Sequence, residues 1–300
     1  MDSTGNPPPL IVGCGQVGRR LAAALAPRPV IGLVRSRASA QALAQAGIQP
    51  LQWDLDHPPQ APLPSAGAEL YYLAPPPRQG EREERLERFL DALEQWGQPR
   101  RLVYLGTTGV YGDCQGAWVD ETHPLAPRAP RALRRADAEA RLRRWQAKSG
   151  AELVLLRVAG IYGPGKLPLA RLRQGKPMIR REQAPWTNRI HLDDLVQVLL
   201  AAMAQGRNGA VYNVSDGHPG NMADYFNAVA DAAGLPRPPV IDLEAAPEAL
   251  SAGLRSYLAE SRRIDNGRML RELGVELRYP TLAAGLAALF PEASVVSSKG

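Results

Sequence analysis

The stretch PLIVGCGQVGRRLAAALA, residues 9–26, constrains this chain more than any other. An apolar run of strand length leads directly into GCGQVG and then into a segment with helical spacing. Gly13 permits the tight turn, Gly15 lets the backbone approach a pyrophosphate, and Gly18 allows a helix to pack closely on a strand. A helix that starts there offers free N–H groups and the positive end of its dipole to phosphates. A bare GxGxxG is a weak signal, but the strand–turn–helix context makes a dinucleotide site the prediction, with Gln16 and Val17 as the remaining loop contacts.

The segments that follow alternate. VIGLV (30–34), ELYYLA (69–74), RLVYLG (101–106) and ELVLLRVAG (152–160) read as strands. Between them ASAQALAQAG, REERLERFLDALEQWG and RALRRADAEARLRRWQAKSG read as helices closed by Gly47, Gly97 and Gly150. Strands alternating with helices predict an α/β chain with a parallel sheet covered on both faces. From Gly163 the pattern breaks into short helical pieces and Pro/Gly loops, which predicts a smaller lobe. The expected division is a dinucleotide-binding domain over 9–160 with 187–214, a substrate-binding lobe over 161–186 with 215–290, and flexible tails at 1–8 and 292–300.

The formal charge of +6 in 300 residues is too mild to imply nucleic acid. Cys14 and Cys114 match no zinc spacing and no disulfide framework, so a reducing, cytoplasmic setting is expected. MDSTGNPPPL lacks the regions of a signal peptide. The longest apolar run, LVQVLLAAMA from Leu195, is too short for a bilayer and contains Gln197, so it is expected to be a buried helix and no membrane partner is predicted.

The end of the second strand selects the cofactor. An acid there would bind the adenosine ribose. GLVRSRAS instead places Arg35, Ser36 and Arg37 at that point, and a guanidinium suits a 2′-phosphate. The prediction is NADP, with NAD as the alternative.

Further along lie WDLD (53–56), YYLAPPP, LGTTGVYGD, LRVAGIYGPG, NRIHLDDL and VYNVSDGHP. With GCGQVG, this series resembles the extended short-chain dehydrogenase/reductase superfamily, NAD-dependent epimerase/dehydratase type, from about Leu10 to about Phe290. The resemblance implies a Rossmann domain, a small C-terminal lobe, and a ligand cleft between them. It matches Asp54 and Leu55 to the pair that reads the adenine and Leu73 and Ala74 to the segment beside the phosphates. It matches Thr107 to the catalytic Ser/Thr, although a strand-end Thr also commonly caps its own turn. A homodimer through helices of the Rossmann domain is a frequent arrangement in the superfamily.

The resemblance fails where most of the superfamily carries YxxxK. With Glu139 matched to the usual Glu four residues beyond the Lys, the Tyr position is Arg131 and the Lys position Arg135. A guanidinium stays charged at neutral pH and shuttles no proton. Arg131 is instead suited to a carboxylate, a phosphate or an oxyanion, and Arg135 to the nicotinamide ribose. The helix carries its own Asp137 and Glu139, which argues against a nucleic-acid face, and Arg134, Arg141, Arg143 and Arg144 are expected on solvated faces. Tyr162 and Lys166 form a literal YxxxK in YGPGK, but three loop residues separate them. They are read as candidate substrate contacts, with Tyr111 as another candidate acid. Asp193 or Asp194 is read as a helix N-cap, and Arg189 as facing an anionic substrate by analogy with sugar-nucleotide enzymes. No partner for His191 has metal spacing, so no metal is expected.

The first functional expectation is an NADP-preferring oxidoreductase or epimerase acting on a small polar or sugar-like substrate. Thr107 would orient the reacting oxygen, and a water, Tyr111 or Tyr162 would supply the proton. The alternative is a dinucleotide sensor or regulatory protein that has lost catalysis.

Overall fold

The computed structural model describes residues 7–291. Seven strands form the central sheet: β1 (Leu10–Val12), β2 (Ile31–Val34), β3 (Gln49–Gln52), β4 (Glu69–Tyr72), β5 (Arg101–Leu105), β6 (Glu152–Val158) and β7 (Val211–Val214). All pair in parallel, in the order β7-β6-β5-β4-β1-β2-β3. The chain winds outward in one direction from β1 and then returns to add β4 on its other side. The gap between β1 and β4 at their carboxyl ends is therefore the topological switch point, where open α/β sheets hold ligands.

Apart from β3, the strands are largely apolar because both faces are covered, and the period of two sorts their side chains. Leu10, Val12, Leu70, Tyr72, Leu102 and Tyr104 face α3 (Glu84–Trp96) and α4 (Pro130–Ser149). Ile11, Tyr71, Val103 and Val154 face α1 (Gln16–Ala24), α2 (Arg37–Gln45) and α5 (Leu192–Gln205). The run from Leu195 lies inside α5, a helix buried against the sheet; no helix among the described residues is long and apolar enough to cross a membrane. β3 carries no strand signal in the sequence. QPLQ is polar and holds a proline, both tolerated because β3 is the edge strand and pairs only with β2.

A second core is formed by Leu172, Met178, Met222, Phe226, Val229 and Leu286. Two parallel strand pairs lie outside the central sheet: Gly160–Tyr162 with Arg189–His191, and Trp118–Val119 with Arg263–Ile264. The second pair ties a loop of the sheet domain to the C-terminal segment. Of the tails expected at 1–8 and 292–300, residues 1–6 and 292–300 lie outside the described residues, and Pro7 and Pro8 are partly buried.

α4 differs from expectation on its surface. Pro130 opens it and Gly150, at φ +69°, closes it. Arg143 and Arg144 are exposed, but Arg134 and Arg141 are buried. Arg134 donates to the Gly80 carbonyl, and Arg141 reaches Asp137 at 2.7 Å and Glu87 at 2.5 Å. These two arginines fasten α4 to α3 and its leading loop.

Candidate active site

Two clefts open at the carboxyl ends of the strands. The first, of about 800 Å³, is lined by Gly13, Gly15, Arg35, Asp54, Leu55 and Ala74, among others. Its floor is set by backbone. Gly13 sits at φ +78°, and a Cβ there would lie 2.5 Å from the Ala74 Cα, so no other residue fits. A Cβ on Gly18 would come within 3.0 Å of Ile11 and 3.2 Å of Cys14, the helix–strand approach expected of it. Gly15 meets nothing closer than 3.9 Å and leaves its side of the loop open. It is also the N-cap of α1, with no side-chain cap and no acid in the first turn, so the first N–H groups are free for an anion.

The other predicted cofactor residues divide. Gln16 Nε2 donates to the Pro164 carbonyl at 2.5 Å and so joins the glycine loop to YGPG. Val17 packs against the core, Leu73 is buried in it, and Arg37 is exposed as the first residue of α2; none of the three lines the cleft. Arg35 does line it, with Ser36 and Ser39, whose hydroxyls are 2.9 Å apart. Arg19, Arg78 and Arg85, which the sequence reading did not single out, add three guanidinium groups to the same wall. Arg85 is neutralised by Asp56, at 2.6 and 2.5 Å, and also donates to the carbonyls of Pro75 and Pro76. Its hydrogen bond holds the Asp56 carboxyl below the usual range.

The second cleft, of about 370 Å³, contains Thr107, Arg131, Arg135, Lys166 and Arg189. Thr107 caps its own turn: its Oγ1 accepts from Gly109 N at 3.1 Å, which leaves the hydroxyl proton free. Arg135 donates to Tyr104 Oη at 3.0 Å and lies 3.5 Å from the Ala74 carbonyl, at the junction of the two clefts. Arg131 is not free to meet a substrate. It bonds to Ser256 Oγ, pairs with Glu260 at 3.2 Å, and lies 4.0 Å over the Tyr257 ring.

Neither flagged tyrosine reaches this cleft. Tyr111 is 1% exposed; it donates to Asn213 at 2.8 Å and receives Arg157 at 2.8 Å, and burial pushes its pKa up to about 12. Arg157 in turn holds Glu139 at 3.0 and 2.7 Å, so the matched Glu belongs to a buried ion pair. Tyr162 is fully buried with its hydroxyl against the Thr281 carbonyl at 3.3 Å. The two phenols are buried because long-range partners, Asn213 and Thr281, take their hydroxyls, and local sequence shows neither partner.

The N-cap of α5 is His191, whose Nδ1 accepts from Asp193 N at 3.2 Å. Asp194 instead accepts from Arg278 N and Tyr279 N, at 2.8 and 3.0 Å, and Asp193 pairs with Arg20. No group of three or more potential metal ligands occurs among the described residues. The second cleft also holds Asn188, Tyr257, Glu260 and Arg262, none of them singled out by sequence. Asn188 lies beside Arg189 in a quoted motif, whereas no pattern marks residues 257–262.

This chain is similar to several known proteins. Residues 84–215 match the NAD dependent epimerase/dehydratase family. The chain is 29% identical over 184 residues to Protein YeeZ of Escherichia coli (strain K12), covering 60% of this chain and 59% of that relative. It is 28% identical over 148 residues to a dTDP-glucose 4,6-dehydratase of Actinoplanes sp., covering 45% of each chain. The matched regions thus span about half to three fifths of these curated relatives. A solved structure of a functionally unknown conserved protein from Silicibacter pomeroyi DSS is 37% identical, covering 96% of this chain and 99% of its own, with a TM-score of 0.82. DesIV, a dTDP-glucose 4,6-dehydratase from Streptomyces venezuelae solved with NAD and TYD bound, shares the fold at 19% identity and TM-score 0.76 over 97% of each chain. The family match over residues 84–215, on this sheet and behind this glycine loop, shows that the chain carries a domain of the NAD-dependent epimerase/dehydratase family, with the fold of the extended short-chain dehydrogenase/reductases.

Proposed function

We propose that this protein is a dinucleotide-dependent oxidoreductase of the epimerase/dehydratase type that prefers NADP and acts on a small polar or sugar-like substrate in the second cleft. One observation carries the cofactor preference: the wall at the end of β2 presents Arg35, Ser36 and Ser39 with no acid at the strand end, and Arg19 and Arg78 line the same cleft. A 2′-phosphate gains charge-assisted hydrogen bonds there, whereas a bare ribose finds no carboxylate.

The residues fit a dinucleotide. The space beside Gly15 is open, Gly13 admits no side chain, and the N-terminus of α1 is uncapped. When bound, NADP(H) supplies the hydride donor or acceptor. Gly13, Gly15 and the α1 N–H groups would hold its phosphates, Asp54 and Leu55 the adenine end, and Arg135 the ribose nearest the second cleft. Thr107 keeps its proton available because its oxygen accepts from Gly109, so it donates to the reacting oxygen of the substrate. Arg131 holds the C-terminal segment in place through Glu260 and Ser256. With Tyr111 and Tyr162 buried, proton exchange falls to a water in the second cleft or to Tyr257, an exposed residue that lines it.

Titration calorimetry with NADP⁺, NADPH and NAD⁺ tests this reading. Arg35→Ala is expected to weaken NADP(H) about tenfold, roughly 1.4 kcal/mol, and to leave NAD⁺ unchanged. Absence of dinucleotide binding would overturn it. A second reading, a sensor without hydride transfer, is favoured by the arginine at the Tyr position being fully engaged in the protein. Turnover of NADPH with any carbonyl substrate would exclude it.

A further inference from the structure

One carboxylate beside the first cleft is placed to defeat a phosphate site. WDLD holds two acids, Asp54 and Asp56. Asp54 lines the cleft and is committed to its own turn, where its Oδ1 accepts from Asp56 N at 3.2 Å. Asp56 is exposed. Its carboxyl is held below the usual range first by the Arg85 hydrogen bond, and the charges of Arg85, Arg88 and Arg35 add to the effect. Arg35 therefore stands within the field of Asp56, yet no ion pair joins them. Arg35 makes no hydrogen bond or ion pair among the described residues, so its guanidinium is open at the end of β2.

An open guanidinium and an open carboxylate at such range attract each other. Arg85 takes the carboxylate first. Its Nε and Nη2 donate to the two Asp56 oxygens at 2.6 and 2.5 Å, and its Nη1 donates to the carbonyls of Pro75 and Pro76 at 3.1 and 3.2 Å. The guanidinium is thus fixed on both sides, in a side chain only 13% exposed. One turn further along α3, Arg88 donates to the Leu55 carbonyl at 3.1 Å and steadies the backbone next to Asp56.

Resting on the reading that the first cleft prefers NADP, we propose that Arg85 is a positioning residue that sets cofactor choice through Asp56: it holds that carboxylate off Arg35 and so leaves Arg35 to the 2′-phosphate. Without Arg85, the carboxylate and the phosphate compete for one guanidinium. A bare ribose brings no charge to that competition, so NAD is nearly indifferent to it. The preference then depends on two arginines with different tasks. Arg35 attracts the phosphate, and Arg85 removes its internal competitor.

The test is titration calorimetry of the full chain with NADP⁺ and NAD⁺ at low ionic strength, where exposed charges are least screened. Arg85→Met keeps the apolar stem and removes every donor. It is expected to weaken NADP⁺ about fivefold and to leave NAD⁺ within about twofold. Adding Asp56→Asn to the same chain is expected to bring NADP⁺ back to within about twofold of the unmodified protein, because the competitor is gone although Arg85 is still missing. Arg85→Gln stands in if Arg85→Met does not fold, with the same pattern expected. Three results would overturn the inference: unchanged NADP⁺ binding, an equal loss for both dinucleotides, or a loss that Asp56→Asn does not recover. The second would make Arg85 a support of the loop after β4, and the third a direct contact of the cofactor. Equal binding of the two dinucleotides by the unmodified chain, or none, counts against the cofactor reading instead. The crystal structure of the Arg85→Met chain then decides separately: an ion pair between Arg35 and Asp56 supports the inference, and its absence overturns it.

Discussion

Between Gly13 and Ala74 there is no room for a methyl group, while between Arg131 and Glu260 a pair of long side chains spans the distance from α4 to the C-terminal segment. The first cleft is shaped by backbone: a positive φ, an uncapped helix and the ends of adjacent strands. The second is shaped by side chains drawn from residues 107, 131, 166, 189, 260 and 262. Backbone geometry demands particular residue types at fixed spacing. Side-chain geometry only demands that something of suitable length and charge arrive from somewhere. The two clefts should therefore respond differently to substitution.

The largest effect on binding is expected in the first. Gly13→Ala places a Cβ 2.5 Å from the Ala74 Cα and 2.6 Å from its N, at a φ of +78°. Neither backbone atom moves without displacing the loop after β4. Dinucleotide affinity should fall by at least about 100-fold, close to 3 kcal/mol, in titration calorimetry. Retained affinity would show that the cleft is not backbone-defined.

This contrast also explains what could be read in advance. The parallel sheet, its two helical layers and the glycine loop were legible because apolar strands, helical spacing and GCGQVG are local signals. Arg35 was read from the end of the second strand, and Asp54, Leu55 and Ala74 came from WDLD and YYLAPPP, motifs that carry the family resemblance; all four line the first cleft. Tyr111 and Tyr162 looked available because each stands beside a cleft motif; the partners that bury them are 102 and 119 residues away. Arg134 and Arg141 looked solvated because arginine is abundant throughout, and only the packing of α3 on α4 shows otherwise. Glu260 and Arg262 carried no signal, since their pair joins the cleft only when the distant Arg131 closes on Glu260.

Glu139 tests whether the altered helix is held mainly from inside the fold. It and Arg157 are nearly fully buried, with side chains 3% and 5% exposed. Glu139→Ala leaves an unpaired guanidinium in the core and should cost about 3–5 kcal/mol in denaturant unfolding. If the loss is under about 1 kcal/mol, the helix is anchored by its surface arginines instead.

Glu83 sharpens the comparison through pH. It is wholly buried at the start of α3, and burial, opposed by Arg135, the Leu86 N–H, Arg85 and Arg134, pushes its pKa up to about 7. Tyr72 and Tyr104 share its surroundings. Its folded pKa lies above the ordinary 4.5, so between about pH 4.5 and 7 the folded chain retains a proton that the unfolded chain has released. Stability from this group is greatest below pH 4.5 and declines as pH rises through 7, by up to about 3 kcal/mol. Glu83→Gln should flatten that part of the stability profile, with the gain over wild type largest above pH 7. Parallel profiles for the two proteins would show that Glu83 does not titrate in this window.

The smallest effect is expected at Arg131, and it separates the clefts most cleanly. Arg131→Ala removes the contacts to Ser256 and the cover over Tyr257, but Glu260 keeps Arg262 at 3.1 Å on two nitrogens. With one of two cationic partners left in place, the expected loss is about 1 kcal/mol, visible as a slightly lower unfolding midpoint. NADP(H) affinity should not change, because Arg131 does not line the first cleft. A loss of dinucleotide binding in this variant would mean that the clefts are coupled through α4, by way of Arg135 and the Ala74 carbonyl, and that the second cleft takes part in shaping the first.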